Sequence, residues 1–208
     1  MKRGALLVLE GCDRAGKSTQ VKKLVGALND YGIPTEARVF PNRKTEIGQM
    51  ISRVLTNKME LPLEAAYLLF SANRWECSKD IIDSLEAGIT LVVDRYAASG
   101  AAYAAATTDL DISVCKTCDT GLPQPDAVFL LELSSETQVK RSKFGEEKFE
   151  REQIQKRVAQ NFKELKDDSW TIIDANGDIE TIHKTLLKEA LKIVSAVNNN
   201  PIKQLYLK

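Results

Sequence analysis

Apolar residues follow two rhythms along this 208-residue chain. Short apolar runs recur at residues 5–11 (ALLVLEG), 35–40, 87–96 (AGITLVVDRY), 127–133 and 170–174 (WTIID). Runs of this length, bounded by glycine or charge, suit strands buried on both faces. Between them the spacing turns helical. Val21, Leu24, Val25 and Leu28 make one stripe, and Ile47, Met50, Ile51, Val54 and Leu55 another. Helices are also expected over 97–106, 136–141, 147–164 and 179–197, with a longer one from Pro62 to Leu85. Strands alternating with helices predict one α/β domain, a parallel sheet covered on both faces.

Composition narrows the classes of function. Lysine plus arginine and aspartate plus glutamate number 29 each, so the formal net charge is zero. A nucleic-acid binder normally shows a basic excess or stripe, and neither is evident. The first apolar run is too short for a signal-peptide core, and no segment reaches the length of a membrane span. A cytoplasmic protein is expected, with a nuclear or mitochondrial share open. Cys115 and Cys118 have C-x-x-C spacing, but no second pair of ligands accompanies them, so free thiols on a loop are expected.

The chemistry concentrates where the first strand ends. Gly11-x-x-x-x-Gly16-Lys17-Ser18 is a phosphate-binding loop, placed between a strand and a helix as such loops require. Its glycines let backbone N–H groups converge on phosphate oxygens, and the helix aims its positive end at them. Lys17 reaches the β- and γ-phosphates, and Ser18 suits Mg²⁺. Arg14 can stabilise charge on a phosphoryl group in transit. Asp13 is harder to place: about 6 Å from a phosphate charge, at an effective dielectric of about 20, it would be repelled by roughly 3 kcal/mol. It is tolerable if Mg²⁺ or an arginine screens it, and useful if it accepts from a sugar hydroxyl.

Two further strands end in "FPNR" (40–43) and "VVDRY" (92–96), which brings Phe40, Arg43, Asp94 and Arg95 to the same sheet edge. Asp94 can bind Mg²⁺ through water or pair with an arginine. Phe70 and Arg74 sit at i and i+4 in "LLFSANRWE", a face able to stack on a flat heterocycle and donate to its carbonyl.

These segments, with "VDRYAASGAAYAAA" and "GLPQPD", stand in the order found in thymidylate kinases, and the chain resembles the eukaryotic and poxviral branch along nearly its whole length. The resemblance implies a P-loop nucleoside monophosphate kinase fold, with a five-stranded parallel sheet, helices on both faces and a lid at about 140–151. It implies transfer of the γ-phosphate of ATP to dTMP, with Mg²⁺, by a homodimer. Arg14, Lys17, Asp94 and Arg95 become the catalytic group. ATP falls to Asp13, Arg14, Ala15, Gly16, Lys17, Ser18 and Thr19, with Arg141 against adenine and the backbone of Ala175, Asn176 and Gly177 in contact with the base. Phe70 stacks on thymine, Arg74 bonds its O4, Arg43 and Arg95 hold its phosphate, and Asp13 takes the 3′-hydroxyl. Tyr103 crowds a ribose 2′-hydroxyl, while Phe40, Ser99, Gly100 and Phe149 complete the dTMP pocket. Asn42 stands where an acid is common in the family, and Phe149 where tyrosine is.

Other readings are a broader deoxynucleoside monophosphate kinase, a catalytically silent dTMP binder, a GTPase switch and a helicase-like ATPase. The guanine-reading N-K-x-D motif is absent, since Asn57-Lys58-Met59-Glu60 ends in the wrong residue. Neutral charge and small size disfavour the helicase.

Overall fold

The computed structural model describes residues 2–140, 148–149, 151–197 and 200–207. Its sheet runs in the order β2-β3-β1-β4-β5, all neighbours parallel, with β1 Leu6–Glu10, β2 Thr35–Val39, β3 Thr90–Asp94, β4 Ala127–Glu132 and β5 Trp170–Asp174. The alternation read from the sequence is therefore the architecture.

Side chains alternate in direction along β1, and all five of its residues are buried, so both faces are covered. Leu7 and Leu9 face α1 (Lys17–Asp30) and α9 (Ile179–Val197), meeting Leu24, Leu28 and Leu186. Leu6 and Val8 face the opposite way, towards Ile81 and Leu85 of α4 (Ser78–Glu86). Farther along that side, Leu130 packs with Ala102 of α5 (Ala97–Thr107) and Val158 of α8 (Glu152–Leu165).

The topology also opens the site. β1 leads through α1 to β2 on one flank, while its neighbour β3 leads through α5 to β4 on the other. Chains departing in opposite directions leave a crevice at the carboxyl ends of those two strands. The register sets Leu9 of β1 and Val39 of β2 on either side of Asp94.

Three expectations need correction. The single helix from Pro62 to Leu85 is two, α3 (Leu63–Glu76) and α4, joined at Cys77. No glycine or proline marks the join, where the Cys77 N–H bonds to the Arg74 carbonyl. The break lets α3 serve the crevice while α4 packs on the sheet. The helix expected from 147 begins instead at Glu152, because Phe149 first buries against Ile51 and Leu55 of α2 (Glu46–Leu55). Finally, the C-x-x-C lies at a short helix, α6 (Ile112–Thr117), rather than on a loop. Asp111 caps that helix by accepting from the Ser113 N–H, and both thiols are free.

The helix expected at 136–141 is α7 (Ser135–Lys140). Most of the expected lid, Arg141 included, lies outside the described residues. After α9 the chain returns along the "GLPQPD" loop, with Leu205 and Gly121, Leu205 and Leu122, and Lys203 and Gln124 exchanging backbone bonds of 2.8–2.9 Å. Among the described residues no helix is long and apolar enough to cross a membrane.

Candidate active site

A cavity of about 730 Å³ occupies the crevice. The loop leaving β1 walls one end. Gly11, Arg14 and Gly16 hold φ of 143°, 67° and 93°, turning the backbone so that α1 starts at the cavity wall. A Cβ on Gly11 would meet the Leu131 carbonyl oxygen at 2.5 Å. Lys17 folds back over the loop and donates to the carbonyls of Gly11 (3.1 Å) and Cys12 (2.8 Å). Burial, reinforced by the nearby Arg95 charge, brings its ammonium pKa down to about 8. Ser18 donates to Asp94 Oδ2 at 2.5 Å, joining the loop to the end of β3.

Asp13 is the hub of the site. Its carboxylate accepts from Arg95 Nη2, from the Tyr103 hydroxyl (2.9 Å) and from Gln155 Nε2 (2.6 Å). Its backbone N–H donates to Gln155 Oε1 (2.9 Å), and its carbonyl accepts from Gln138 Nε2 (2.8 Å). Burial alone would raise the Asp13 carboxyl pKa, but the Arg95 and Lys17 charges and the bonds from Tyr103 and Gln155 hold it below the usual value. Arg95 also donates to the Gly11 carbonyl and Ser99 Oγ, and lies over the Tyr103 ring at 5.2 Å. It does this from a left-handed backbone, φ 66°. An arginine thus screens the acid that looked out of place in a phosphate loop.

Behind Arg95 lies Glu10, wholly buried at the end of β1. It accepts from the N–H groups of Tyr96 (2.9 Å) and Ser99 (3.1 Å) and from Ser99 Oγ, so it satisfies buried donors that have no partner within the helix at the start of α5. Burial pushes its carboxyl pKa up, against the Ser99 bond and the Arg95 charge.

The far end is lined by Phe40, Arg43, Phe70, Arg74, Tyr103 and Phe149, with Ser99 and Gly100 on α5. Asn73 of α3 fixes the "FPNR" turn. Its Oδ1 accepts from the Asn42 N–H (2.7 Å), while Nδ2 donates to the Asn42 carbonyl, Thr45 and Glu76. The Asn42 side chain itself turns to Cys77 and the Lys44 N–H. Arg74 is bound by a buried Asp119, which Ser71 also contacts. The Phe149 ring meets Tyr103 edge-on at 6.5 Å.

The cavity therefore gathers Asp13, Arg14, Ala15, Gly16, Lys17, Ser18, Thr19, Phe40, Arg43, Phe70, Arg74, Asp94, Arg95, Ser99, Gly100, Tyr103 and Phe149. Ala175 and Asn176 are not among its lining. Ala175 is buried with its N–H on the Glu132 carbonyl, and Asn176 accepts from the Ser134 N–H and donates to Asp174. Gly177, the last residue of the expected 175–177 stretch, does line that end, together with Ile179 and Ile182. Sequence reasoning passed over Glu10, Asn73, Asp119, Gln138 and Gln155. The one available signal was at Gln155, which interrupts the face of α8 that Val158 and Phe162 bury.

The family model for thymidylate kinase matches residues 9–186. The thymidylate kinase of Danio rerio is 43% identical over 208 residues, covering 99% of this chain and 98% of the relative. That of Homo sapiens is 42% identical over 208 residues, with the same shares. A solved structure of thymidylate kinase from Candida albicans aligns with a TM-score of 0.88 at 36% identity, covering 98% of this chain and 99% of that one.

Proposed function

This chain belongs to the thymidylate kinase family, and we propose that its single domain transfers the γ-phosphate of ATP to dTMP, giving dTDP and ADP, through the division of labour that follows. The carrying observation is the convergence of Arg14, Lys17, Arg43 and Arg95 with two acids, Asp13 and Asp94, on a single cavity.

The triphosphate lies along the loop from Asp13 to Thr19. Lys17 leaves the two carbonyls it now bonds and takes up the β- and γ-phosphates, while the start of α1 supplies backbone donors. Arg14 stands by the moving phosphoryl group, where charge spreads in the transition state. Ser18 Oγ and Asp94 Oδ2 are hard oxygen donors side by side at the cavity wall, which fits Mg²⁺ held partly through water. Bound there with ATP, Mg²⁺ neutralises phosphate oxygens. Adenine rests near Gly177, Ile179 and Ile182, with Arg141 assigned to its face by resemblance alone.

At the other end Phe70 stacks on thymine, Arg74 donates to its O4, and Arg43 and Arg95 hold the phosphate. Asp13 accepts from the 3′-hydroxyl, and Tyr103, bonded to Asp13, closes the space a 2′-hydroxyl would need. By pairing with Asp13, Arg95 removes the repulsion that acid would otherwise exert on phosphate.

The enzyme is proposed to be a cytoplasmic homodimer. Leu68 and Trp75, two turns apart on α3 and 61% and 41% exposed, supply an apolar surface for pairing.

A coupled assay of ADP release with ATP, Mg²⁺ and a panel of dTMP, dUMP, dGMP, dCMP, UMP and AMP tests the proposal. Fast release with dTMP, less with dUMP and little with the others is expected. Strong activity on dGMP would overturn the pocket assignment while keeping the chemistry. No release with any monophosphate, from protein that binds ATP, would overturn both.

A further inference from the structure

Arg74 lines the cavity while being only 3% exposed, so its guanidinium is set rather than free to search. Two neighbours set it. On one side Nε donates to Asp119 Oδ1 at 3.0 Å and Nη2 to Asp119 Oδ2 at 2.7 Å, a bidentate pair whose side chains are 4% and 1% exposed. Ser71 Oγ donates to the same Oδ1 at 2.8 Å, which holds the carboxylate itself in place. On the other side lies Gly100 of α5. A Cβ there would meet Arg74 Nη2 at 2.4 Å and Cζ at 2.9 Å, so any side chain at this position displaces the guanidinium. Three distant segments, α3, the chain after α6 and the first turns of α5, thus confine one planar group.

The remaining nitrogen, Nη1, makes no hydrogen bond among the described residues. A guanidinium can only donate, so the group that completes Nη1 is an acceptor. A pyrimidine carrying oxygen at C4 provides one, whereas a 4-amino group sets donor against donor. A loosely held arginine could swing away from that clash and tolerate it. One clamped by a buried fork cannot move without leaving charge unpaired.

We infer that Asp119 and Gly100 are positioning residues that lock Arg74 in one orientation, and that this lock is what makes the nucleobase end choose a 4-oxo over a 4-amino pyrimidine. The inference rests on the assignment of Arg74 to the nucleobase made above. It gives Gly100 a role other than contact with thymine: it keeps the space in which the arginine lies.

The test measures KM for dTMP, KM for ATP, kcat, and the inhibition constant of dCMP against dTMP. It compares the full-length enzyme with Gly100→Ala, Asp119→Asn, Asp119→Glu, Ser71→Ala and Arg74→Ala. Gly100→Ala and Asp119→Asn should raise KM for dTMP about tenfold and leave the dCMP constant nearly unchanged, so the gap between the two narrows by about tenfold. KM for ATP should stay within about twofold, and Asp119→Glu should recover part of the gap. In an Arg74→Ala background, Gly100→Ala should add nothing further. Where Asp119→Asn leaves a buried arginine unpaired and fails to fold, Gly100→Ala and Ser71→Ala carry the test. A gap that persists in Gly100→Ala but collapses in Arg74→Ala overturns the lock alone. A gap that persists in Arg74→Ala overturns the reading of Arg74 on which the lock depends.

Discussion

The two ends of the cavity are built on different plans. The phosphate end is one continuous stretch, Gly11 to Thr19, whose work is done largely by backbone geometry, with glycines and a helix start in fixed order. The nucleobase end is assembled from side chains of the "FPNR" turn, α3, α5 and the chain after α6, joined by the buried Arg74–Asp119 pair. A backbone-built site carries its instructions locally. A side-chain-built site keeps them in pairs of residues that meet only after folding. Chemistry should therefore be separable from recognition, since substitutions at one end disturb rate and at the other disturb choice of substrate.

The sharpest way to break that division is Arg14→Ala. Turnover should fall by about a thousandfold while KM for dTMP changes little, as measured by steady-state kinetics with saturating ATP. Unchanged turnover in a folded variant would move the catalytic cation to the 140–151 segment. Asp13→Asn probes the hub where the two ends meet. Loss of a charged acceptor should lower kcat/KM for dTMP by about tenfold to a hundredfold and spare ATP affinity, measured by titration. An effect confined to ATP would refute the sugar-holding role and place Asp13 wholly on the phosphate side.

The smallest effect is protonic. With its pKa down to about 8, Lys17 is half neutral near pH 8, yet a polyphosphate requires the ammonium form. KM for ATP should be flat below about pH 7 and climb above pH 8, and ATP binding at pH 8 should take up about half a proton. Calorimetry in two buffers of different ionisation enthalpy measures that uptake; none would mean that Lys17 does not meet the phosphates. The sign for folding follows the same shift. The folded chain binds fewer protons at this lysine than the unfolded one, so its cost to stability is full below pH 8 and fades as pH rises towards the ordinary 10.5.

How much of this was legible follows the same division. The runs at 5–11 and 127–133 announced strands because a strand buried on both faces needs only local apolarity. The phosphate loop announced itself because nine adjacent residues carry it. Arg74 and Phe70 were legible as an aromatic and a cation on one helical face. Asp119 was not, because it meets Arg74 across 45 positions and sits in an unremarkable polar turn. Gln155 and Gln138 reach Asp13 across 142 and 125 positions, and a glutamine in a helix looks like solvent-facing surface until its partner is known. The break at Cys77 was hidden because helix propensity does not lapse there and packing alone divides α3 from α4. Of the expected stretch 175–177, Gly177 lines the cavity and Ala175 and Asn176 do not: the strand end fixes where β5 stops, and the turn that follows decides which residue faces the cavity.

The left-handed backbone at Arg14 has one more consequence. That conformation costs a non-glycine residue on the order of 1 kcal/mol, a steric strain that glycine would not carry. The chain therefore keeps a guanidinium at a turn of the loop where the backbone alone would favour the residue with no side chain at all.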